Sequence, residues 1–156
     1  MKKYKVGIIS DTHGILREEV IEQLISCDYI VHGGDITELD IIEKLKEIAP
    51  VFVVRGNNDN DEWAKDLEEE LHFEIGSVNF YMIHNIKCAP KKLPNVDVII
   101  FGHSHKYYCK EKDGVMWLNP GSCGKKRFNL PFTMVIMEIE DGKYKTKKVD
   151  IKVGKL

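Results

Sequence analysis

Short apolar runs alternate with amphipathic stretches along the first third of the chain. Tyr4 to Ile9 reads as a buried strand. From Arg17 to Ser26, the residues Val20, Ile21, Leu24 and Ile25 fall on one helical face. Tyr29 to His32 reads as a second strand. Glu38 to Ala49 reads as a second helix with Ile41, Ile42, Leu45 and Ile48 as its stripe, stopped by Pro50. Val51 to Val54 then makes a third strand. Strand, helix, strand, helix, strand in that order predicts a βαβ arrangement of parallel strands.

The pattern changes in the second half. Val78 to Ile83, Val98 to Phe101, Val115 to Leu118, Phe132 to Glu140 and Lys143 to Ile151 all read as strands. Asp113-Gly114 and Asp141-Gly142 are hairpin-turn signals between such runs. This half is therefore expected to be mostly antiparallel. The segment from Asn60 to Leu71 is acidic and reads equally as helix or loop. No repeat, low-complexity tract or linker divides the chain, so one domain over residues 1–156 is expected, with two packed sheets and helices outside.

Composition narrows the functional classes. At 156 residues and 43% apolar content, the chain can bury a core without disulfide staples. A net charge of -2, from 23 basic and 25 acidic residues, gives no general attraction to nucleic acid. Cys27, Cys88, Cys109 and Cys123 form no CxxC pair, so they read as reduced thiols, not a zinc ribbon or a redox motif. The apolar run ending at Ile9 is too short for a signal peptide or a membrane span. The cytoplasm is the expected location, with no membrane partner.

The chemistry lies just beyond the strands. Asp11-Thr12-His13 comes after the first, Gly33-Gly34-Asp35 after the second and Gly56-Asn57-Asn58-Asp59 after the third. His84 closes the Val78 run, and Gly102-His103-Ser104-His105 comes after the Val98 run. Ligands of open α/β sheets bind beyond the carboxyl ends of strands, where these clusters stand. Asp, His and Asn are oxygen and nitrogen donors that suit transition metals better than calcium. In Asp-x-His and His-x-His, residues i and i+2 of an extended segment share one side. Taken singly, each cluster has a plainer reading. Asp11 to Gly14 could cap the next helix, the Gly-Asp and Gly-Asn clusters could be ordinary turns, and His84 a packed histidine. The ordered set at five strand ends is the stronger signal.

That order (Asp-x-His, Gly-Asp, Gly-Asn, His, Gly-His-x-His) resembles the calcineurin-like metallophosphoesterase superfamily. The short length and Asn119-Pro120-Gly121-Ser122 resemble its small, single-domain YfcE-type phosphodiesterase branch, with similarity from about Val6 to Phe128. The resemblance implies an α/β fold: a four-layer α/β/β/α sandwich of two mixed sheets, with a metal site at the strand C-terminal edge. It implies one metal held by Asp11, His13, Asp35 and His105, and a second by Asp35, Asn57, His84 and His103. Asp35 would bridge the ions, and Asp35, Asn57 and His84 are the expected catalytic positions. A bridging water would lose a proton and attack phosphorus in line, while the ions stabilise the phosphoryl oxygens. The cofactor expected is two divalent transition ions, manganese first, with nickel, cobalt, iron or zinc as alternatives. The expected partner is a small phosphate-ester substrate; a homo-oligomer stays open.

Some positions depart from the family pattern. Many larger members carry a histidine after Gly-Asn that protonates the leaving group; here the residue is Asn58, and an amide cannot do this near neutral pH. Asn85 follows His84 where a glycine is usual. Asn58, Asn85 and Arg127 are candidate substrate contacts, with a surface salt bridge the alternative for Arg127. Two other functions compete with a phosphodiesterase or phosphomonoesterase. One is a non-catalytic, Vps29-like interaction scaffold, against which the complete ligand set argues and which metal content would discriminate. The other is a nuclease, favoured only by Lys91-Lys92 and Lys125-Lys126-Arg127.

Overall fold

A computed structural model describes residues 2–126 and 129–153. Ten strands form two five-stranded sheets. The first sheet runs in the order β10 (Lys143–Asp150), β9 (Thr133–Glu140), β1 (Lys3–Ile9), β2 (Tyr29–His32), β3 (Val51–Val53). Helices α1 (Glu18–Leu24) and α2 (Leu39–Ile48) connect its three parallel strands. The second sheet runs β4 (Glu70–Ile75), β5 (Val78–Ile83), β6 (Val98–Ile100), β8 (Val115–Asn119), β7 (Tyr108–Lys112).

The two sheets pack face to face. Val6, Ile8 and Val31 of the first meet Phe80, Met82, Val98 and Ile100 of the second, all buried. The other face of the first sheet buries Ile9 and Ile30 under Val20 and Leu24 of α1 and Ile41, Ile42 and Leu45 of α2. The outer face of the second sheet buries Tyr81 and Ile99 beneath the segment carrying Ile86, Leu93 and Val96. Two mixed sheets therefore stand as expected. The fourth layer is thin, however: its helical part is the single 3₁₀ turn Ile86–Cys88.

The second sheet departs from the antiparallel expectation. β5, β6 and β8 are mutually parallel, and only the outer strands β4 and β7 pair antiparallel. β9 and β10 join the first sheet instead, antiparallel to β1 and to each other. The acidic segment resolves into a 3₁₀ turn, Glu62–Asp66, and the start of β4. The α1 stripe is shorter than its sequence suggested. The helix ends at Leu24, so Ile25 is 66% exposed and Cys27 takes the next inward position. The functional consequence is geometric: six parallel strands, β1, β2, β3, β5, β6 and β8, end on the same edge of the sandwich.

Candidate metal centre

Loops from both sheets interlock at that edge. The Asp11 N–H donates to the Gly34 carbonyl (3.0 Å) and the His13 N–H to the Asp35 carbonyl (2.9 Å), joining the β1 loop to the β2 loop. The Gly102 N–H donates to the His84 carbonyl (3.0 Å), joining two loops of the second sheet. The sheets are tied to each other by His84, whose Nδ1 lies 2.8 Å from the Gly33 carbonyl.

The imidazoles and carboxylates converge between these loops. His84 Nε2 lies 3.2 Å from Asp35 Oδ2 and 3.9 Å from Asp11 Oδ1. His13 Nε2 lies 3.4 Å from Asp35 Oδ2 and 3.8 Å from Asp11 Oδ1. His105 Nε2 lies 3.4 Å from Asp11 Oδ1. Two groups of potential ligands result, Asp11 with His13 and His105, and Asp11 with Asp35 and His84. Asn57 and His103 pair with each other beside them, Nδ1 to Oδ1, at 3.1 Å.

The two oxygens of Asp11 have different surroundings. Oδ2 accepts from the Ser10 hydroxyl (2.7 Å) and the His103 N–H (3.2 Å). Oδ1 is buried with no hydrogen-bond partner among the described residues, and so are His13 Nε2 and His84 Nε2. Buried polar atoms are normally satisfied, so converging unsatisfied ones mark a place for an ion. Without an ion, the electrostatics come from the contacts. Burial pushes the Asp11 carboxyl up, but the imidazoles of His105, His13 and His84 and the Ser10 hydroxyl outweigh it, holding the carboxyl well below the carboxylate range. Asp35 is also lowered, with burial opposed by His84 and the Asn58 N–H. Burial lowers His84, but Asp35 and Asp11 prevail and raise it.

The ligands converge by a route other than the one the sequence suggested. Neither His-containing motif is extended. Asp11 (φ 56°), His13 (φ 46°), Asp35 (φ 61°), His103 (φ 74°) and His105 (φ 63°) all lie in the left-handed region. Such backbone costs of order 1–2 kcal/mol per residue and collects where function fixes it. The capping alternative for Asp11 to Gly14 fails: α1 is preceded by Arg17, and no side chain caps it. Two glycines are required by close approach. A Cβ on Gly56 would overlap the Asp35 carboxylate, and one on Gly102 would overlap the Ser10 hydroxyl.

Three residues that hold the loops were not candidates for the site, although Asp59 and Asn119 belong to motifs the sequence singles out. Asp59 is buried and accepts the backbone N–H groups of Gly56 (2.8 Å), Asp35 (2.9 Å) and Thr37 (2.7 Å), clamping the β3 loop to the β2 loop. Asn119 donates Nδ2 to the Gly102 carbonyl (3.1 Å) and so anchors the His103 loop. His32 is fully buried, and burial pushes its pKa down to about 4. Its Nδ1 accepts the Gly34 N–H at 3.1 Å, so Nε2 carries the proton and faces Thr12 Oγ1 at 3.0 Å. Their roles rest on contacts made across strands, which only the topology reveals.

The remaining candidates divide. Asn58 donates its backbone N–H to Asp35 Oδ1 (2.9 Å) and its amide to Asp35 Oδ2 (3.1 Å). Asn85 Oδ1 accepts the Lys87 N–H at 3.1 Å, capping the 3₁₀ turn. Arg127 lies outside the described residues. A cavity of about 340 Å³ opens over the centre, lined by His13, Asp35, Asn57, Asn58, His103, His105 and Lys125. All four cysteines are unpaired, and no helix of the described chain is long and apolar enough to cross a membrane.

Known proteins resemble this chain in sequence or in fold. A phosphodiesterase of Methanocaldococcus jannaschii is 30% identical, the alignment covering 90% of this chain and 96% of that one. The E. coli phosphoesterase YfcE superposes with a TM-score of 0.70 at 22% identity, over 95% of this chain and 100% of that one. Vps29 of Entamoeba histolytica, in a complex with Zn²⁺, superposes with a TM-score of 0.73 at 24% identity, over 95% and 99%. The last two show the fold alone. The family model for the calcineurin-like phosphoesterase superfamily domain matches residues 4–142, nearly the whole chain. With its two mixed sheets and the loop cluster at their common edge, this chain belongs to the calcineurin-like phosphoesterase superfamily.

Proposed function

We propose that the chain is a phosphodiesterase working with two divalent transition ions, manganese being the pair expected. The observation that carries this reading is the set of buried ligand atoms that make no hydrogen bond, Asp11 Oδ1, His13 Nε2 and His84 Nε2, converging beside Asp35. Asp11, His13, Asp35 and His105 would hold one ion. Asp35, Asn57, His84 and His103 would hold the other, with Asp35 common to both. Bound there, the ions would supply an activated water and neutralise charge on the phosphoryl oxygens.

The chain's own residues have separate tasks. His84 donates its Nδ1–H to the Gly33 carbonyl, which leaves Nε2 of the neutral ring as the lone-pair nitrogen toward the centre. Asn58 holds both oxygens of Asp35 and so fixes the plane of the shared carboxylate. Lys125 places a positive side chain on the wall of the cavity, where an anionic ester would enter. With an amide at position 58, these residues include no proton donor to the leaving group at the place where many relatives have a histidine.

A second reading, an interaction scaffold, is favoured by the likeness to Vps29. That Entamoeba protein is itself a zinc complex. Metal content alone therefore does not separate enzyme from scaffold; turnover does. The test is hydrolysis of bis(p-nitrophenyl) phosphate by protein stripped with EDTA and reloaded with Mn²⁺. Metal-dependent release of p-nitrophenolate supports the enzyme. Protein that binds two ions and releases none is a scaffold.

A further inference from the structure

A second cavity, of about 510 Å³, adjoins the centre on the side of His84 and Asn57. Asn57 lines both this cavity and the one over the centre, so the two meet at that residue. We propose that this second cavity is the pocket for one ester group of a phosphodiester substrate, and that it takes a hydroxylated, uncharged alcohol of nucleoside size. The proposal rests on the phosphodiesterase reading above and adds the substrate class.

Position supplies the first argument. A phosphodiester carries two ester groups, and the phosphoryl group must sit against the cluster of Asp35 and His84. The cavity over the centre, at about 340 Å³, is walled by the ligands themselves. A substituent leaving the phosphoryl group past Asn57 enters the larger cavity directly. Its volume lies in the range that holds small-molecule ligands.

The lining supplies the chemistry. Three amides stand around the cavity, Asn60, Asn85 and Asn57, the last with its Oδ1 taken up by His103 on the side of the centre. An amide both donates and accepts, which matches hydroxyl groups and heterocycle edges. Asn85 has its oxygen engaged by the Lys87 N–H, so what it offers a ligand is a donor. The two cations at the wall are already balanced. Arg55 Nη2 pairs with Glu69 Oε1 at 2.5 Å, and Lys65 Nζ pairs with Glu62 Oε2 at 2.9 Å. A second phosphate would find no uncompensated charge there. An alkyl or lipid group would find apolar contact at Ile83 and Cys88 but would strip water from the amides without replacing it.

The test uses three substrates with the same leaving group: thymidine 5′-(p-nitrophenyl phosphate), methyl p-nitrophenyl phosphate and p-nitrophenyl phenylphosphonate. The leaving group is then constant, and the group opposite it varies: a nucleoside ester, a methyl ester and a phenyl joined by a P–C bond, so the comparison is read from KM and from its response to the variants. The Mn²⁺-loaded wild type is expected to show a KM for the thymidine ester at least fivefold below those of the other two. Cys88 is exposed and lies on the outer wall, so Cys88→Trp fills the cavity without disturbing the core. It is expected to raise the KM of the thymidine ester at least tenfold more than that of the methyl ester. Asn60→Ala should raise the thymidine KM severalfold and shift the others less. Equal KM values for the three substrates in the wild type, or variants that move all three together, overturn the pocket. Tighter binding of the phenylphosphonate than of the thymidine ester overturns its polar character. If the wild type hydrolyses none of the three, the phosphodiesterase reading fails as well; if it hydrolyses the methyl ester but the ratios do not respond, the pocket alone fails.

Discussion

His84 Nδ1 sits 2.8 Å from the carbonyl oxygen of Gly33, so a residue of the second sheet is oriented by a loop of the first. Gly33 immediately precedes Gly34 and Asp35, and His84 Nε2 lies 3.2 Å from Asp35 Oδ2. The centre is assembled only when the two sheets dock. Under the two-ion reading, removing His84 would take away a ligand of one proposed ion and leave Asp11, His13, Asp35 and His105 for the other. The wild type, reconstituted with Mn²⁺, is expected to hold two ions per chain and His84→Ala about one. Elemental analysis after gel filtration distinguishes the cases. Fewer than one ion in the wild type, with no rise in activity on adding metal, removes the basis for a metal-dependent enzyme.

Asp35 is approached by both His13 and His84 and is held by Asn58. Asp11 also stands in both groups of candidate ligands, but it is fully buried, whereas Asp35 is the carboxylate that lines the cavity over the centre. Asp35→Asn keeps the shape but removes the charge that, under the two-ion reading, would offset repulsion between two cations. The rate at saturating Mn²⁺ is expected to fall at least a hundredfold, about 2.7 kcal/mol of transition-state stabilisation. A near-wild-type rate in this variant would rule out the shared role.

The parts of this centre that were legible in the sequence are those whose chemistry is local. Asp11, His13, Asp35, Asn57, His84, His103 and His105 each close a strand or come just after one, and the strand pattern alone places them on one edge. The supporting contacts were not legible. Asp59 reads as part of a turn, yet it binds N–H groups at positions 35, 37 and 56. His32 reads as the last residue of a strand, yet it faces Thr12 across the parallel pairing of β1 with β2. The missed strands have identifiable causes. β4 begins inside an acidic stretch, and its outward Glu70, His72 and Glu74 mask the inward Leu71, Phe73 and Ile75. Its hairpin turns through Gly76 and Ser77, both at positive φ, a weaker signal than Asp-Gly. β7 carries Lys110, Glu111 and Lys112, as befits an edge strand that must resist pairing with other chains.

His32 provides a pH-dependent test of the loop architecture. Its pKa is pushed down to about 4 by burial, while in the unfolded chain it is near 6.5. As pH falls through this window, the unfolded chain takes up a proton that the folded chain refuses, so stability is lost with acidification. In the metal-free protein the loss from this group between pH 7 and pH 5 is about 2 kcal/mol. His84 works the other way: its raised pKa stabilises the fold at low pH and that contribution fades as pH rises above 6.5. Comparing wild type with His32→Gln isolates the first effect, because His84 is common to both. The variant is expected to be less stable at pH 7 but to lose less on going to pH 5. Urea unfolding in EDTA at the two pH values measures this, and identical losses in both proteins refute the assignment.

Under the phosphodiesterase reading, the residue at position 58 bears on how the leaving group departs. Its amide donates to Asp35 Oδ2 at 3.1 Å, and its backbone N–H donates to Asp35 Oδ1 at 2.9 Å. An amide has no proton to release near neutral pH, so an alkoxide would have to leave unprotonated. The rate should then fall steeply as the leaving-group pKa rises, with aryl diesters cleaved much faster than alkyl diesters. Asn58→His would install a titratable donor on the same loop, where general acid catalysis contributes about 10²–10⁴-fold when a proton is needed. The gain should be smaller here, because the imidazole would give up the contact that Asn58 makes with Asp35. It should nevertheless be greater for poor leaving groups than for good ones. Asn58→Ala separates the two tasks: it removes the side-chain contact to Asp35 Oδ2, keeps the backbone contact to Oδ1 and adds no acid, so it should lower all rates alike and leave the slope as in the wild type. The measurement is a plot of log kcat/KM against leaving-group pKa for the three proteins. A flat wild-type slope would mean that another donor already protonates the leaving group, and Asn58 would then act only by orienting Asp35.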